Sequence, residues 1–300
     1  MEMMKESAHM KIVIKNLSKT FSSGVTAINN LNLEIETGIF GLLGKNGAGK
    51  STLMRCLTTL LVPTNGTINI LGIDVVPENY EEIKKIIGYL PQELGLYPNM
   101  TVEDSLDYMG ILSGLDKETR KTRIDHLLDL TNLKSHAKKK NKQLSGGMKR
   151  RVGLVQAMLN MPKVLIVDEP TAGLDPEERI NIRNLLTQLS KDRIVILSTH
   201  VVEDIAATCK KICIMDSGDA IYSGTVDELF AKVDGHTFDA VVRDEEELKK
   251  IKEKYVVATQ RYVHNGIQVH FIADEIPESK CVSSEANMED AYIYVTHNRR

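Results

Sequence analysis

Residues 41–52 read GLLGKNGAGKST and join an apolar run to a glycine-rich turn. Within this stretch, residues 44–51 contain the complete pattern GxxxxGKS. The preceding GIFGLLG at residues 38–44 predicts a strand, and apolar residues at helical spacing predict a helix over Lys50–Leu61. Glycines between a strand and a helix let backbone N–H groups converge on phosphate oxygens, and the start of the helix adds positive potential.

The pattern therefore predicts a loop that binds the phosphates of a nucleotide. An ordinary glycine turn before a helix is the alternative, and the complete pattern in this context argues against it. We expect Lys50 to reach the β- and γ-phosphates and Ser51 to ligate Mg²⁺. The predicted nucleotide-binding residues are Gly44, Lys45, Asn46, Gly47, Ala48, Gly49, Lys50, Ser51 and Thr52.

A pair of carboxylates at the end of a second apolar run complements this loop. Residues 164–176, VLIVDEPTAGLDP, begin with four apolar residues that predict a buried strand. Asp168 at its end can hold Mg²⁺, directly or through water, and Glu169 suits a general base for an attacking water. Two adjacent carboxylates could also form a solvated turn. The phosphate-binding loop in the same chain favours the catalytic interpretation.

The flanking sequence carries further strand patterns. Apolar and polar residues alternate over residues 10–40 and predict half-buried antiparallel strands. More strand-like sequence lies at Thr67–Leu71 and Ile86–Leu90. The runs KVLIVDE and RIVILSTH are continuously apolar, which is typical of buried parallel strands. Their polar ends lie where open α/β sheets bind ligands.

A helical insert is predicted between about Pro91 and Asn160. Thr101 is expected to cap its first helix, a second helix to begin near Asp116 and a third after Ser145. The third helix has an apolar face made of Val152, Val155, Met158 and Leu159.

The composition becomes more polar beyond about Ala231. TFDAVVR predicts a strand, DEEELKKIKEK a helix, and two further strand runs a hairpin that turns at Asn265-Gly266. We therefore predict two domains, residues 1–230 and a small accessory αβ domain at residues 231–300.

Composition narrows the class of protein. The formal net charge is −3, so the chain lacks the excess of basic residues that a nucleic-acid-binding surface needs.

The four cysteines lack zinc-ligand spacing. Cys209 and Cys213, one helical turn apart, are predicted to be packed, reduced thiols. Residues 1–16 lack the apolar core of a secretory signal, and no apolar run is long enough to span a bilayer. If the protein works at a membrane, a separate chain must anchor it.

Over about residues 10–230 these motifs, in this order, resemble the nucleotide-binding subunits of ABC transporters. The ending MEDAYIYVTH resembles, less specifically, the branch that exports drugs, peptides or ions. The resemblance implies an α/β P-loop ATPase with a RecA-like core, an antiparallel β subdomain and a helical subdomain at about residues 91–160, followed by a small C-terminal α+β domain. It also implies ATP and Mg²⁺ as ligands.

The resemblance assigns further residues to the site. Gln92 in YLPQELGLYP matches the glutamine that senses Mg²⁺ and couples to the membrane partner, and His200 in STHVVED matches the switch histidine. Asp175 in AGLDP matches the D-loop aspartate, and Phe21 stands where an aromatic stacks on adenine. Each residue alone would more often serve packing or the surface, and their ordered spacing favours the functional roles.

LSGGM at residues 144–148 matches the signature motif, with Met148 where the family most often has Gln. Because a thioether has no amide donors, polar contacts from that position are lost. Ser145, Gly146 and Gly147 begin a helix and so form a second anion-binding helix terminus. The resemblance implies that it faces the γ-phosphate held by another ATPase subunit, a second copy or a paralogue, so that two subunits sandwich two nucleotides.

The resemblance thus predicts an ATPase that powers export by a separate integral membrane permease at the cytoplasmic face of the membrane. A soluble ABC ATPase acting on nucleic acid or ribosomes is the alternative. Those relatives join two cassettes, insert a long coiled coil or carry zinc modules, none of which this sequence shows, and we expect no nucleic-acid partner. A regulator that binds ATP without hydrolysis is disfavoured by Glu169 and His200.

Overall fold

The computed structural model describes residues 10–277 and 281–298, which form 14 strands and ten α-helices. The strands are β1 (Lys11–Thr20), β2 (Thr26–Glu36), β3 (Gly38–Leu43), β4 (Asn65–Ile70), β5 (Ile73–Asp74), β6 (Ile87–Leu90), β7 (Val164–Asp168), β8 (Ile194–Thr199), β9 (Lys211–Asp216), β10 (Asp219–Thr225), β11 (Thr237–Val242), β12 (Val256–Val263), β13 (Gly266–Ile272) and β14 (Val282–Ser283). The helices are α1 (Lys50–Leu57), α2 (Tyr80–Ile86), α3 (Val102–Leu112), α4 (Lys117–Leu130), α5 (Gly146–Met158), α6 (Pro176–Leu189), α7 (Val202–Thr208), α8 (Val226–Val233), α9 (Glu245–Lys254) and α10 (Met288–His297).

A six-stranded central sheet has the order β10-β9-β3-β8-β7-β6. Its strands are parallel except β10, which pairs antiparallel with β9. Every residue of β7 and β8 is buried, so the predicted buried parallel strands are confirmed. Because parallel strands end at one edge, the carboxyl ends of β3, β7 and β8 meet there: Leu43 pairs with Thr199, and Asp168 with Ser198.

A second, four-stranded sheet with the order β2-β1-β4-β5 lies over one face of the central sheet. Its strands are antiparallel and bury alternate residues, such as Ile12 and Ile14, as the alternating pattern predicted. Between the two sheets, α1 contributes Leu53 and Met54 to a shared apolar core. The opposite face of the central sheet is covered by a second core to which α3 to α8 contribute.

The helices of the insert begin directly after the predicted capping residues. Thr101 Oγ1 accepts a hydrogen bond from the Asp104 amide, and Asp116 Oδ1 accepts one from the Thr119 amide. The Ser145 hydroxyl caps α5 by accepting from the Met148 amide at 3.2 Å. The predicted apolar face of α5 is also confirmed, because Val152 and its three partners are buried.

The predicted end of α1 was wrong. The helix stops at Leu57 and not at Leu61, and Leu60 is 65% exposed. Thr59 adopts the left-handed region with φ 64°, and the Leu60 amide then donates to the Arg55 carbonyl, five residues back, in place of continuing the helix. Apolar spacing alone did not reveal this reversal of the chain.

The prediction that Cys209 and Cys213 lie one helical turn apart was also wrong. Cys209 follows the end of α7, whereas Cys213 lies in β9, which pairs with β3 in the central sheet. Both residues are buried, and all four cysteines are free thiols, as predicted. Burial raises the pKa of both Cys209 and Cys213 to about 12, which makes them unreactive.

A third sheet, β12-β13-β11-β14, packs with α9 around its own core, which includes Phe238, Leu248 and Phe271. The predicted hairpin at Asn265-Gly266 joins β12 to β13. However, α8 crosses the predicted domain boundary at residues 230 and 231, and α10 returns to the ATPase side, where Met288 and Ala291 join the core that contains α7 and α8. The division into residues 1–230 and 231–300 stays a proposal.

Within the described residues, we find no helix with both the length and the apolar character needed to cross a membrane. The prediction that residues 1–16 lack a secretory signal falls mostly on residues 1–9, which lie outside the described part of the chain.

A buried charge pair attaches α10 to the third sheet. His270 on β13 donates through Nδ1 to Asp239 Oδ1 at 2.8 Å, and its Nε2 lies 3.0 Å from Asp290 Oδ2 on α10. The side chain of Asp290 is 1% exposed. The Asp290 carboxylate, followed by that of Asp239, raises the pKa of His270 to about 9 against the opposing effect of burial.

We expect this pair to make stability depend on pH. Since the pKa of His270 is raised above its ordinary value of about 6.5, its stabilisation is full below about pH 6.5 and is lost as pH rises through about 9. Urea unfolding should therefore show that His270→Gln lowers the free energy of unfolding most near pH 6 and least above about pH 9. The control is His264→Gln in the exposed hairpin turn. An equal loss for His270→Gln at all these pH values would contradict the expectation.

Candidate functional site

The predicted phosphate-binding loop connects β3 to α1 at the carboxyl edge of the central sheet. Gly49 caps α1 in the left-handed region, with φ 105°. A Cβ at Gly49 would lie 2.2 Å from the Ala27 carbonyl oxygen, and one at Gly44 would lie 2.4 Å from the Met215 carbonyl oxygen. The loop is therefore wedged between β2 and β9, and only glycine fits at these two positions.

Lys50 begins α1 and is almost fully buried. Its ammonium donates to the Gly44 carbonyl at 2.5 Å and the Lys45 carbonyl at 3.2 Å, and it lies 3.9 Å from Glu169 Oε1. Burial lowers the pKa of Lys50, although Glu169 and Asp168 oppose the shift. A buried ammonium held by two loop carbonyls fits a phosphate, since a phosphate oxygen is a stronger acceptor than a carbonyl.

Asp168 and Ser51 form an oxygen-rich pair beside this ammonium. Asp168, at the end of β7, accepts from the Ser51 hydroxyl at 3.2 Å through Oδ2 and from the Ser198 hydroxyl at 3.0 Å through Oδ1. Burial raises the pKa of Asp168 against the effect of these two bonds. A carboxylate and a hydroxyl 3.2 Å apart at the phosphate-binding loop fit Mg²⁺, which takes oxygen ligands from one or two protein groups and from phosphates.

Glu169 and His200 form a second pair at the same edge. Glu169 Oε2 lies 2.9 Å from His200 Nδ1. Glu169 Oε1 is buried and has no hydrogen-bond partner among the described residues. Glu169 also has a positive φ of 49°, an uncommon conformation for a residue with a side chain. A buried carboxylate oxygen without a partner is suited to accept a proton from water.

Lys50, Ser51, Asp168 and Glu169 share one cavity of about 380 Å³, whereas Gly44 and His200 do not line it. It is lined by Ala27, Lys45, Asn46, Gly47, Ala48, Gly49, Lys50, Ser51, Thr52, Gln92, Asp168 and Glu169. The structure thus brings the loop, Gln92 and the two carboxylates together. Ala27 was missed, because nothing in the sequence around an alanine near the start of β2 indicates that its carbonyl abuts Gly49.

Phe21 is not among the residues that line this cavity. It lies in the turn between β1 and β2, is 39% exposed, and has the Lys19 ammonium 5.6 Å from its ring centroid. Its predicted contact with adenine stays a prediction.

Ser145, Gly146, Gly147 and Asp175 also do not line the cavity. They lie at the starts of α5 and α6, where Ser145 and Asp175 are exposed and act as helix caps. The two helix starts are held together by Arg151, which donates to both carboxylate oxygens of Glu178, at 2.5 and 2.7 Å. A Cβ at Gly147 would collide with Glu178.

Comparisons with known proteins agree with this arrangement. The family model for the ABC transporter matches residues 28–172. The chain is 33% identical to an uncharacterized ABC transporter ATP-binding protein, YxlF, of Bacillus subtilis (strain 168), over 95% of this chain and 99% of that protein. It is 32% identical to the Nod factor export ATP-binding protein I of Cupriavidus metallidurans, over 94% of this chain and 96% of that protein.

An import protein is similar over a shorter part. The chain is 36% identical to the methionine import ATP-binding protein MetN 3 of Shouchella clausii, over 74% of this chain and 67% of that protein. Among solved structures, a dimeric, post-hydrolysis state of the ATP-binding cassette MJ0796 bound to ADP and Pi aligns with a TM-score of 0.65 and 27% identity. That alignment covers 72% of this chain and 98% of MJ0796.

Proposed function

The chain belongs to the ATP-binding subunits of ABC transporters and is an ATPase, and from this premise we propose that it drives export through a separate integral membrane permease. It acts at the cytoplasmic face of the membrane, where two ATPase subunits close on ATP and reopen after hydrolysis. The proposal rests on the observation that the cavity and the glycine-rich start of α5 lie at different places on the chain. Residues 45–52 of the phosphate-binding loop share a cavity with Asp168 and Glu169, whereas Ser145 and Gly146 at the start of α5 are exposed outside it.

Hydrolysis follows from the groups in the cavity. The amides of the glycine loop and the Lys50 ammonium bind the β- and γ-phosphates, with Lys50 exchanging its carbonyl partners for phosphate oxygens. Glu169 Oε1 accepts a proton from the attacking water, and His200 holds Glu169 through the 2.9 Å contact. Mg²⁺, when bound by Ser51 and Asp168 with Gln92 nearby, neutralises phosphate charge.

Closure follows from the exposed helix start. Ser145 and Gly146 are exposed at the N-terminus of α5, Gly147 is buried behind them, and a helix N-terminus attracts anions. In a head-to-tail pair of subunits, this terminus meets the γ-phosphate in the partner's cavity. ATP then binds both subunits, so it favours the closed pair, and hydrolysis removes that preference.

The extent of the alignments supports export over import. The Nod factor export protein matches 94% of this chain, whereas the methionine import protein matches 74% and leaves the rest unmatched. The sheet formed by β11 to β14 and helix α10 extend the chain beyond the cassette, and α10 packs into the ATPase core. We propose a drug, peptide or ion as the class of substrate.

Replacing the general base separates hydrolysis from binding. Glu169→Gln keeps the shape of the side chain but cannot take a proton, so we expect ATP turnover to fall by about 100-fold or more. Binding of a fluorescent ATP analogue should be retained, and size-exclusion chromatography with ATP should show a trapped dimer. Turnover close to that of the unaltered chain would refute the role of Glu169.

Blocking the start of α5 tests the composite site. In Ser145→Arg a long cation occupies the surface that meets the partner's phosphate, so we expect the monomer to bind ATP and the ATP-dependent dimer to be lost. Ser113→Arg, at the exposed end of α3, is the matched control and should dimerise normally. If the Ser145 variant dimerises with ATP like the control, the shared site is wrong.

The direction of transport is tested with the permease that co-purifies with the tagged chain. We expect proteoliposomes with the ATPase subunits outside to accumulate a labelled drug, peptide or ion in the lumen when ATP is added outside. The same vesicles with the Glu169→Gln subunit should not accumulate it. ATP-dependent loss of the compound from preloaded vesicles would instead establish import.

A further inference from the structure

Asp204 is a buried carboxylate that no sequence motif singled out. It lies on α7, four residues after His200, and is 1% exposed. Its carboxylate accepts a hydrogen bond from the Thr171 hydroxyl through Oδ2, and Arg183 Nη1 lies 3.3 Å from Oδ1. A buried carboxylate persists only where it is paired and hydrogen-bonded, and here one hydroxyl and one guanidinium meet that need.

We propose that Asp204 is a positioning residue for hydrolysis, which fixes the turn that carries Glu169 to the turn that carries His200. This inference rests on the proposed hydrolytic roles of Glu169 and His200. Asp204 touches neither of them. It acts through Thr171 on one side and through α7 on the other.

The Glu169 side of this connection is a strained turn. Glu169 has φ 49°, its amide donates to the Ser198 carbonyl at 2.9 Å, and its carbonyl accepts from the Ala172 amide. Thr171 follows two residues later, is buried, and bonds to Asp204. Backbone in such a conformation is kept only when its surroundings hold it. The bond from Thr171 to Asp204 supplies an anchor for the turn away from the cavity.

The His200 side is held mainly by backbone. The side chain of His200 is half exposed, so packing on its own does not fix the ring. The next residue, Val201, donates its amide to the Thr199 hydroxyl and accepts at its carbonyl from the Asp204 amide. Asp204 thus closes the turn that begins at Val201, directly after His200, and its side chain joins that turn to Thr171.

Two bonds therefore connect the same pair of turns. The contact of His200 with Glu169 involves a residue that lines the cavity, and the contact of Asp204 with Thr171 lies in the interior. Arg183 lies in the middle of α6, so the interior contact also reaches the helix that follows Asp175. Removing the interior contact should leave nucleotide binding intact and misalign the base.

The test uses Thr171, which permits a closely matched pair of variants. Thr171→Val removes the hydroxyl at nearly constant size, and Thr171→Ser keeps it. We expect Thr171→Val to lower kcat about tenfold or more with KM for ATP changed less than about twofold, because a small misplacement of a catalytic group is costly. Thr171→Ser should retain most of the activity. Asp204→Asn keeps an acceptor but loses the charge facing Arg183, so its kcat should lie between those of Thr171→Val and Thr171→Ser.

A double-mutant cycle that combines Thr171→Val with His200→Ala distinguishes a positioning role from a general loss of stability. If the interior contact acts through the pair of Glu169 and His200, Thr171→Val should have little further effect on kcat in the His200→Ala background. All assays are run well below the melting temperature of each variant. An equal loss of kcat in both backgrounds, an unchanged kcat in Thr171→Val, or a loss confined to KM would overturn the proposal.

The outcomes also separate this inference from the proposed function. If Glu169→Gln abolishes turnover and Thr171→Val does not change it, only the role of Asp204 fails. If Glu169→Gln turns over ATP normally, the hydrolytic roles themselves fail.

Discussion

The site depends on the parallel pairing of β3 with β8 and of β8 with β7. In that register, Leu43 lies beside Thr199 and Asp168 beside Ser198, so three strands deliver their following residues to one edge. The glycine loop, the two carboxylates and His200 all leave the sheet at this edge. A shift of one residue in either pairing would turn the alternating side chains to the opposite face and separate the groups that must meet around a phosphate.

Burial then gives these groups their chemical character. Lys50 and Asp168 are both removed from water, and burial lowers the pKa of the first and raises that of the second. Burial also lowers the pKa of Arg150 on α5. The Arg150 guanidinium donates to the carbonyl of Pro91, the residue before Gln92. The helix that begins with Gly146 and Gly147 is thus tied to the loop of Gln92. One hydrogen bond therefore joins α5 to the residue before Gln92, which lines the cavity.

Local chemistry was predictable where a few neighbouring residues decide the structure. The starts of α3, α4 and α5 followed from Thr101, Asp116 and Ser145, since a capping side chain needs only the next amides. The glycine loop and the buried strands followed for similar reasons. What sequence did not supply depends on contacts between distant segments: the carbonyl of Ala27 against Gly49, and the carboxylate of Asp204 against Thr171. Apolar spacing likewise overextended α1, because it says nothing about where the backbone reverses.

Helix α10 is synthesised after every other described element, yet its Met288 and Ala291 fill the same core as Ile205 and Leu229. Until that helix leaves the ribosome, the apolar faces of α7 and α8 that it covers are exposed to solvent. The packing of α7 and α8 is therefore complete only after residues far beyond His200 have been synthesised. A chain truncated after β13 would therefore expose these apolar faces of α7 and α8 and become a target for chaperones and proteases.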